Sequence, residues 1–214
     1  MQLNLSSYLF QSCHEKNARL FFLCLFFMIV CATRSHAQAN NFDYRILRSI
    51  AETRTPEKND FFKFISKYNN PVCLAAPATL FITGLIKDDV QMKKSSLYVT
   101  ESIASASLFN VILKKIFKRK RPFINDPTFT AVVYARNESF PSGHTAEAFS
   151  MASSMTFAYP RWYVILPTFG WAALVGYSRM YLGVHYPTDV FAGATISSGM
   201  SWLLYNANKN YLRK

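Results

Sequence analysis

The chain has 214 residues, of which half are hydrophobic and 16% aromatic, and its formal net charge is +12. This composition excludes a disordered or fibrous chain and is typical of one helical domain with several long apolar segments. The positive charge indicates an anionic partner: nucleic acid, an anionic lipid surface or a phosphorylated substrate.

Residues 1–37 have the organisation of a secretory signal peptide. Lys16 and Arg19 precede the apolar run at residues 20–32, and small residues follow it at the positions that a signal peptidase prefers. We expect cleavage near Ala37, and an uncleaved membrane anchor is the alternative.

Cleavage at that point leaves fewer reactive side chains in the mature protein. Of four histidines only His144 and His185 remain, and Cys73 is the one remaining cysteine. A disulfide within the mature chain is therefore excluded, and any imidazole chemistry must use these two histidines.

Residues 38–69 are predicted to form an amphipathic N-terminal segment. Apolar residues between positions 42 and 50 recur on one face of a helix, and a second apolar group lies at residues 61–65. Such pieces either lie on a membrane surface or pack on the main domain.

Residues 70–214 are predicted to form an all-α helical-bundle domain. Its five apolar stretches lack the alternation of a half-buried strand and exceed the usual strand length, so each is predicted as a helix. They are residues 72–86, 97–117, 145–159, 162–177 and 190–205.

The bundle is expected to be embedded in a membrane. Basic residues follow the first, third and fifth stretches, which places all three on the cytoplasmic side when the chain enters from outside. The exception is the cluster from Lys114 to Arg121, which would lie outside and therefore requires a functional explanation. A soluble bundle is the alternative, because several stretches are shorter than the roughly 20 apolar residues that span a bilayer.

Six of the eight residues from Lys114 to Arg121 are basic. Lys114 and Arg121 are seven residues apart, which on a continuous helix is two turns and nearly the same face, before Pro122 ends the helix or turns the chain. A lysine and an arginine whose side chains point in the same direction could together bind one tetrahedral anion. The alternative is a solvated helix end that touches lipid phosphates.

Ser142 and Gly143 precede the third of the apolar stretches. Backbone N–H groups at a helix N-terminus bind anions, and His144 would lie beside such an anion in the first turn. The alternative is plain helix capping by Ser142 with a structural histidine.

Arg179, His185 and Asp189 form a third polar group between two apolar stretches. Arg179 could bind a second edge of the same anion. Pro187 biases Tyr186 away from helical geometry, so a helix begins near Pro187 and Asp189 can reach back to His185. A carboxylate that holds one ring N–H leaves the other nitrogen free for attack. The rival, a helical His/Asp metal pair, lacks the further ligands that a metal needs.

In order, spacing and residue type, these three groups resemble the signature of the type 2 phosphatidic acid phosphatase superfamily, which includes membrane lipid phosphatases, acid phosphatases and relatives of the vanadium haloperoxidases. The matching groups are Lys114-x6-Arg121-Pro122, Pro141-Ser142-Gly143-His144 and Ser178-Arg179-x5-His185-x3-Asp189. The resemblance covers about residues 70–206 and implies a helical-bundle phosphatase that needs no metal or other cofactor.

The resemblance also implies a role for each residue. His185 would attack phosphorus to give a phosphohistidine, Asp189 would orient it, and His144 would protonate the leaving oxygen. Water would then hydrolyse the intermediate. The residues that would bind the phosphoryl oxygens are Lys114, Arg121, Ser142, Gly143 and Arg179.

We therefore expect a metal-independent phosphatase that acts on a phosphomonoester or diphosphate of a membrane lipid, of the phosphatidate, polyprenyl diphosphate or lipid A type. The active site would lie on the periplasmic side of a bacterial inner membrane, and no nucleic acid partner is expected. One alternative is a soluble periplasmic or secreted acid phosphatase acting on small phosphoesters. Another is a non-catalytic membrane protein that binds anionic lipid through its basic helix end.

Overall fold

The computed structural model describes residues 38–212, and the expected signal peptide at residues 1–37 lies outside them. The regular structure of the described residues is helical throughout, which confirms the predicted all-α fold class. The helices in chain order are α1 (Gln38–Glu52), α2 (Pro56–Ile86), α3 (Val90–Phe117), α4 (Pro122–Asn125), α5 (Gly143–Ala158), α6 (Trp162–Tyr181) and α7 (Pro187–Leu212).

The five predicted apolar stretches fall on α2, α3, α5, α6 and α7, which pack as a bundle. Helix α5 is central, because it contacts each of the other four. Its buried positions include Ala146, Ala148 and Ala152, and such small residues let helix backbones approach closely. Hydroxyl groups also form a hydrogen bond across the interface between α5 and α7, where Oγ of Ser150 lies 3.1 Å from Oγ of Ser201.

The outer surface of the bundle is strongly apolar. Two segments, Pro56–Ile86 and Val90–Asn125, are long and apolar enough to cross a membrane. Many of their large side chains point away from the bundle: Leu74 is 72% exposed, Leu108 65% and Ile116 65%. Proteins in water rarely leave so much contiguous apolar surface uncovered, so this surface supports a membrane-embedded bundle over a soluble one.

Helix α1 packs on one end of the bundle. Leu47 is fully buried and forms a cluster with Phe129 and Tyr186. The Tyr44 hydroxyl donates a hydrogen bond of 2.9 Å to the carbonyl of Pro122. Helix α1 therefore packs on the main domain through Leu47 and Tyr44.

The second amphipathic piece, at residues 61–65, is part of α2. Thr55 caps this helix by accepting a hydrogen bond from the N–H of Lys58, and Pro56 occupies the first turn, where its missing N–H costs nothing. The helix continues through residue 70 to Ile86. The predicted boundary at residue 70 therefore falls inside one helix, and the division into segments remains a prediction.

Two loops close the end of the bundle at which α3 and α6 finish. They meet where the N–H of Val132 donates to the carbonyl of Leu182 at 2.9 Å. Gly183 has a left-handed φ of +77°, and a Cβ there would lie 3.0 Å from both the Arg54 guanidinium and the Phe129 ring. Glycine is therefore required by conformation and by space.

Candidate active site

The predicted site residues converge at this closed end of the bundle. The charges of Lys114, Arg121 and Arg179 all act on the ring of His144, although the four residues come from α3, the loop after it, α6 and α5. Three further predicted residues are buried beside them: Ser142, His185 and Asp189.

Lys114 and Arg121 reach the site by different elements. Helix α3 ends at Phe117, because Lys118 adopts a left-handed φ of 46° and caps it. The prediction that Lys114 and Arg121 share one helix face is therefore wrong. Arg121 instead returns to the site from the turn before α4, where its Nη1 donates to the carbonyl of Val184 at 2.6 Å.

Both residues are held by uncharged acceptors. Nζ of Lys114 donates to the carbonyl of Glu138, and Nε of Arg121 donates to the carbonyl of Asn137 at 2.7 Å. These contacts fix each cation in place without neutralising it, since a carbonyl carries no net charge.

Arg179 is the third buried cation. Its Nη1 donates to the hydroxyl of Ser66 on α2, and its Nε is buried without a hydrogen-bond partner among the described residues. A buried donor left unpaired costs about 1–3 kcal/mol, so Arg179 Nε is ready for an acceptor that enters the site.

Within residues 38–212, no carboxylate lies at ion-pair distance from Lys114, Arg121 or Arg179. Charged groups are seldom buried unless they are paired. Three buried cations without an ion-pair partner among the described residues form a site suited to an external anion, and a phosphoryl group matches the arginine geometry.

His185 and Asp189 are placed as predicted. Helix α7 begins at Pro187, and the fully buried Asp189 lies in its first turn. Nδ1 of His185 lies 3.5 Å from Oδ2 of Asp189, which is long for a hydrogen bond. Nε2, the opposite ring nitrogen, lies 3.4 Å from Nη1 of Arg121. The imidazole therefore directs one nitrogen to the carboxylate and the other to the cations.

His185 lies in the loop between α6 and α7, and it is held in its neutral form. Burial lowers the pKa of His185 far below its ordinary value, and Arg179 and Arg121 act in the same direction, whereas Asp189 opposes them. A neutral imidazole has an unprotonated ring nitrogen, which is what nucleophilic attack requires.

The start of α5 differs in part from the prediction. Ser142 stands at the N-cap position but makes no capping hydrogen bond with its side chain, whose hydroxyl instead accepts from Oγ1 of Thr145 at 2.8 Å. The backbone N–H of Ser142 donates to the carbonyl of Asp189 at 3.1 Å, so this N–H is already used. The N–H groups of Gly143 and His144 lie in the first helical turn, where no acceptor exists within the helix.

Asp189 is held by residues that the sequence analysis did not single out. Its Oδ1 accepts from Arg119 at 2.6 Å, and its Oδ2 accepts from the hydroxyl of Ser139 and, at 3.0 Å, from the N–H of Tyr186. Arg119 belongs to the predicted basic cluster, but no spacing rule separates it from its exposed neighbours. Nothing in the sequence pattern indicated a role for Ser139.

With this geometry established, comparison with known proteins identifies the family. The model of the PAP2 superfamily matches residues 95–213, more than half of the chain. The chain therefore belongs to the PAP2 superfamily, the family that its three motifs resemble.

Individual relatives agree with this assignment, and one solved structure shares the fold. An undecaprenyl-diphosphatase of Sulfolobus acidocaldarius is 28% identical over 163 residues, which is 76% of either chain. A lipid A 4'-phosphatase of Bacteroides thetaiotaomicron is 32% identical over 102 residues, 45% of either chain. The crystal structure of a transmembrane PAP2 type phosphatidylglycerolphosphate phosphatase from Bacillus subtilis superposes with a TM-score of 0.72 at 23% identity, covering 89% of this chain and 96% of that one. Together with the family match, the curated relatives establish the chain as a phosphatase.

Proposed function

We propose that this phosphatase hydrolyses a phosphomonoester or diphosphate of a membrane lipid through a phosphohistidine intermediate. One observation carries the proposal. Three buried cations, Lys114, Arg121 and Arg179, have no carboxylate at ion-pair distance among the described residues, and Nη1 of Arg121 lies 3.4 Å from Nε2 of the neutral His185.

In the first step, Nε2 of His185 attacks phosphorus and the bond between phosphorus and the leaving oxygen breaks. His144 donates a proton to that oxygen, so the product leaves as an alcohol or as a lipid monophosphate. The three cations stabilise the negative charge that spreads over the other phosphoryl oxygens. Asp189 favours the tautomer with hydrogen on Nδ1 and stabilises the positive charge that develops on the ring.

In the second step, water attacks the phosphorus of the phosphohistidine. His144, now without its proton, accepts one from the water, and the bond between phosphorus and Nε2 breaks. Inorganic phosphate is released and both histidines return to their starting states. The negative charge of the bound phosphate favours the protonated His144 that the first step needs.

The lipid nature of the substrate is supported by the outer surface and by the relatives. The apolar side chains on α2 and α3 suit a hydrocarbon environment. The relatives' names describe phosphatases of lipid A and of undecaprenyl diphosphate. A substrate anchored in the same membrane would reach the site without crossing water.

The periplasmic orientation follows from charge. Lys87, Lys93 and Lys94 lie at or beside the turn between α2 and α3, and α3 runs from there to Lys114 at the site. The site and this basic turn are thus at opposite ends of α3. Because basic loops favour the cytoplasmic side, the proposed orientation places this turn in the cytoplasm and the site on the periplasmic side. The basic cluster from Lys114 to Arg121 at the site end is the exception to this rule, and the proposal assigns Lys114 and Arg121 to the phosphate instead.

The proposal is tested by phosphate release from the full chain purified in detergent. Phosphatidate, a polyprenyl diphosphate, lipid A and a small soluble phosphoester are compared. We expect turnover of at least one lipid, and its loss in His185→Ala with the fold preserved. Turnover of the small ester alone would favour a soluble-type acid phosphatase, and full lipid turnover by His185→Ala would exclude the mechanism.

A further inference from the structure

Arg119 is the member of the basic cluster that turns inward away from its neighbours. Lys118 and Lys120 are exposed, whereas the Arg119 side chain is 17% exposed and bridges two buried carboxylates. Its Nη1 donates to Oδ1 of Asp189 at 2.6 Å, and its Nη2 donates to Oδ2 of Asp43 at 2.7 Å. The guanidinium carbon also lies 3.9 Å from the centre of the Tyr186 ring.

Asp43 belongs to α1, which precedes the residues that the family model matches. Its side chain is fully buried. Oδ1 accepts from the N–H of Thr188 at 3.2 Å, and Oδ2 accepts from the Thr188 hydroxyl at 2.7 Å in addition to Arg119. A buried carboxylate is costly without such partners, so Asp43 is tied both to Arg119 and to the first turn of α7.

The bridge that Arg119 forms between Asp43 and Asp189 restricts rotation of the Asp189 carboxylate. Arg119 anchors Oδ1 of Asp189, which leaves Oδ2 for Ser139, the N–H of Tyr186 and the ring of His185. Without that anchor, Oδ2 keeps its bonds to Ser139 and to the N–H of Tyr186, but the carboxylate can pivot because its last side-chain bond has a broad torsional preference. Nδ1 of His185 lies 3.5 Å from Oδ2 and has no hydrogen-bond partner among the described residues, so Asp189 is the acceptor nearest to it and a small rotation of the carboxylate would carry Oδ2 out of reach.

We propose that Asp43 and Arg119 are positioning residues, which together hold the Asp189 carboxylate against His185. This inference rests on the proposed function, because it assigns its effect to the step in which His185 attacks phosphorus. It also gives helix α1 a part in catalysis: the N-terminal segment supplies a buried charge that completes the arrangement behind the nucleophile.

Neither residue is expected to bind the phosphate. The charge of Arg119 is balanced by two carboxylates, in contrast to the unpaired Lys114, Arg121 and Arg179. Loss of the bridge should therefore slow the chemical step and leave KM nearly unchanged, which is the pattern for an interaction that matters mainly in the transition state.

The test measures the rate and the amplitude of phosphoenzyme formation with labelled lipid substrate and an alkaline quench. The amplitude counts folded active sites, and the rate constant reports positioning. Arg119→Met should lower the rate constant at least about tenfold, with KM and amplitude within about twofold, as expected for a contact worth 1.4 kcal/mol or more. Arg119→Lys, which can contact one carboxylate, should recover part of the rate. The matched control Lys120→Met removes an exposed charge and should leave the rate unchanged.

A double-mutant cycle tests whether Asp43 acts through Arg119. Asp43→Asn alone should lower the rate constant about three- to tenfold, and the double variant should be no slower than Arg119→Met, because coupled residues are not additive. Wild-type rate constants in the single variants, or a fall in amplitude alone, would overturn the positioning role. Absence of turnover and phosphoenzyme in the wild-type protein would instead refute the proposed function, and the inference with it.

Discussion

Nδ1 of His185 lies 3.5 Å from Oδ2 of Asp189, while the other ring nitrogen lies 3.4 Å from Arg121. The imidazole therefore lies between a buried carboxylate and an arginine that has no carboxylate at ion-pair distance among the described residues. Such an arrangement keeps the ring uncharged and sets the direction of its free nitrogen. The same arrangement should make the stability of the protein depend on pH, since protonation of a buried neutral histidine is unfavourable.

Acidification should lower the stability of the protein because of His185. Its pKa is lowered in the folded protein, chiefly by burial, whereas an unfolded histidine titrates near about 6.5. Above that pH neither state binds the proton, so His185 contributes no pH dependence. As pH falls below about 6.5 toward the lowered folded value, only the unfolded state gains a proton, and stability drops by up to about 1.4 kcal/mol per pH unit.

The thermal unfolding midpoint in detergent, measured between pH 8 and pH 5, checks this expectation against His185→Gln. Glutamine does not titrate, so the variant should lose less stability on acidification than the wild-type protein. His144 and the carboxylates other than Asp189 are common to both proteins and cancel in the comparison, whereas the pKa of Asp189 depends partly on His185. Parallel pH curves for the two proteins would show that His185 is not held neutral by the fold.

Lys114 offers a test of the anion site that does not depend on turnover. Lys114→Met should weaken competitive inhibition by inorganic phosphate at least about tenfold, because a hydrogen bond to a charged group contributes about 1.5–3 kcal/mol. The adjacent Lys115 is exposed, so Lys115→Met removes the same charge outside the site and should leave inhibition by phosphate unchanged. Equal inhibition constants for Lys114→Met and wild type would remove Lys114 from the site.

The parts of this site that were predictable from sequence are those fixed by local geometry. Pro187 restricts the residue before it and starts a helix, and this alone places Asp189 one turn beyond His185. The five long apolar stretches likewise determine helix positions through composition and length. These predictions of helix position did not depend on which helices pack together.

The parts that were not predictable depend on contacts between distant segments. The end of α3 at Lys118 is a left-handed residue that helix propensity does not anticipate, since lysine is a good helix former. Arg119 differs from Lys118 and Lys120 through its contacts with Asp43 and Asp189, which lie 76 and 70 residues away along the chain. The backbone N–H of Ser142 is used because α7 brings the Asp189 carbonyl to it. Long-range packing decided each of these.

The close packing of α7 against the start of α5 leads to a further prediction. A Cβ added to Gly193 would lie 2.7 Å from the carbonyl oxygen of Ser142 and 3.5 Å from the N–H nitrogen of Ala146. Gly193→Ala must therefore displace the first turn of α5, which carries Gly143 and His144, and overpacking of this kind costs about 1–3 kcal/mol.

We expect Gly193→Ala to lower both the thermal unfolding midpoint and the turnover number. Gly170 on α6 is the matched control, because a Cβ there would meet no atom within 4 Å. Gly170→Ala should retain full turnover and gain up to about 1 kcal/mol of stability from the higher helix propensity of alanine. If Gly193→Ala were as active and as stable as Gly170→Ala, α7 would not pack on the Ser142 carbonyl as closely as the structure has it. The start of α5 would then owe its position to Asn110 of α3, which donates to the Pro141 carbonyl at 3.3 Å, rather than to α7.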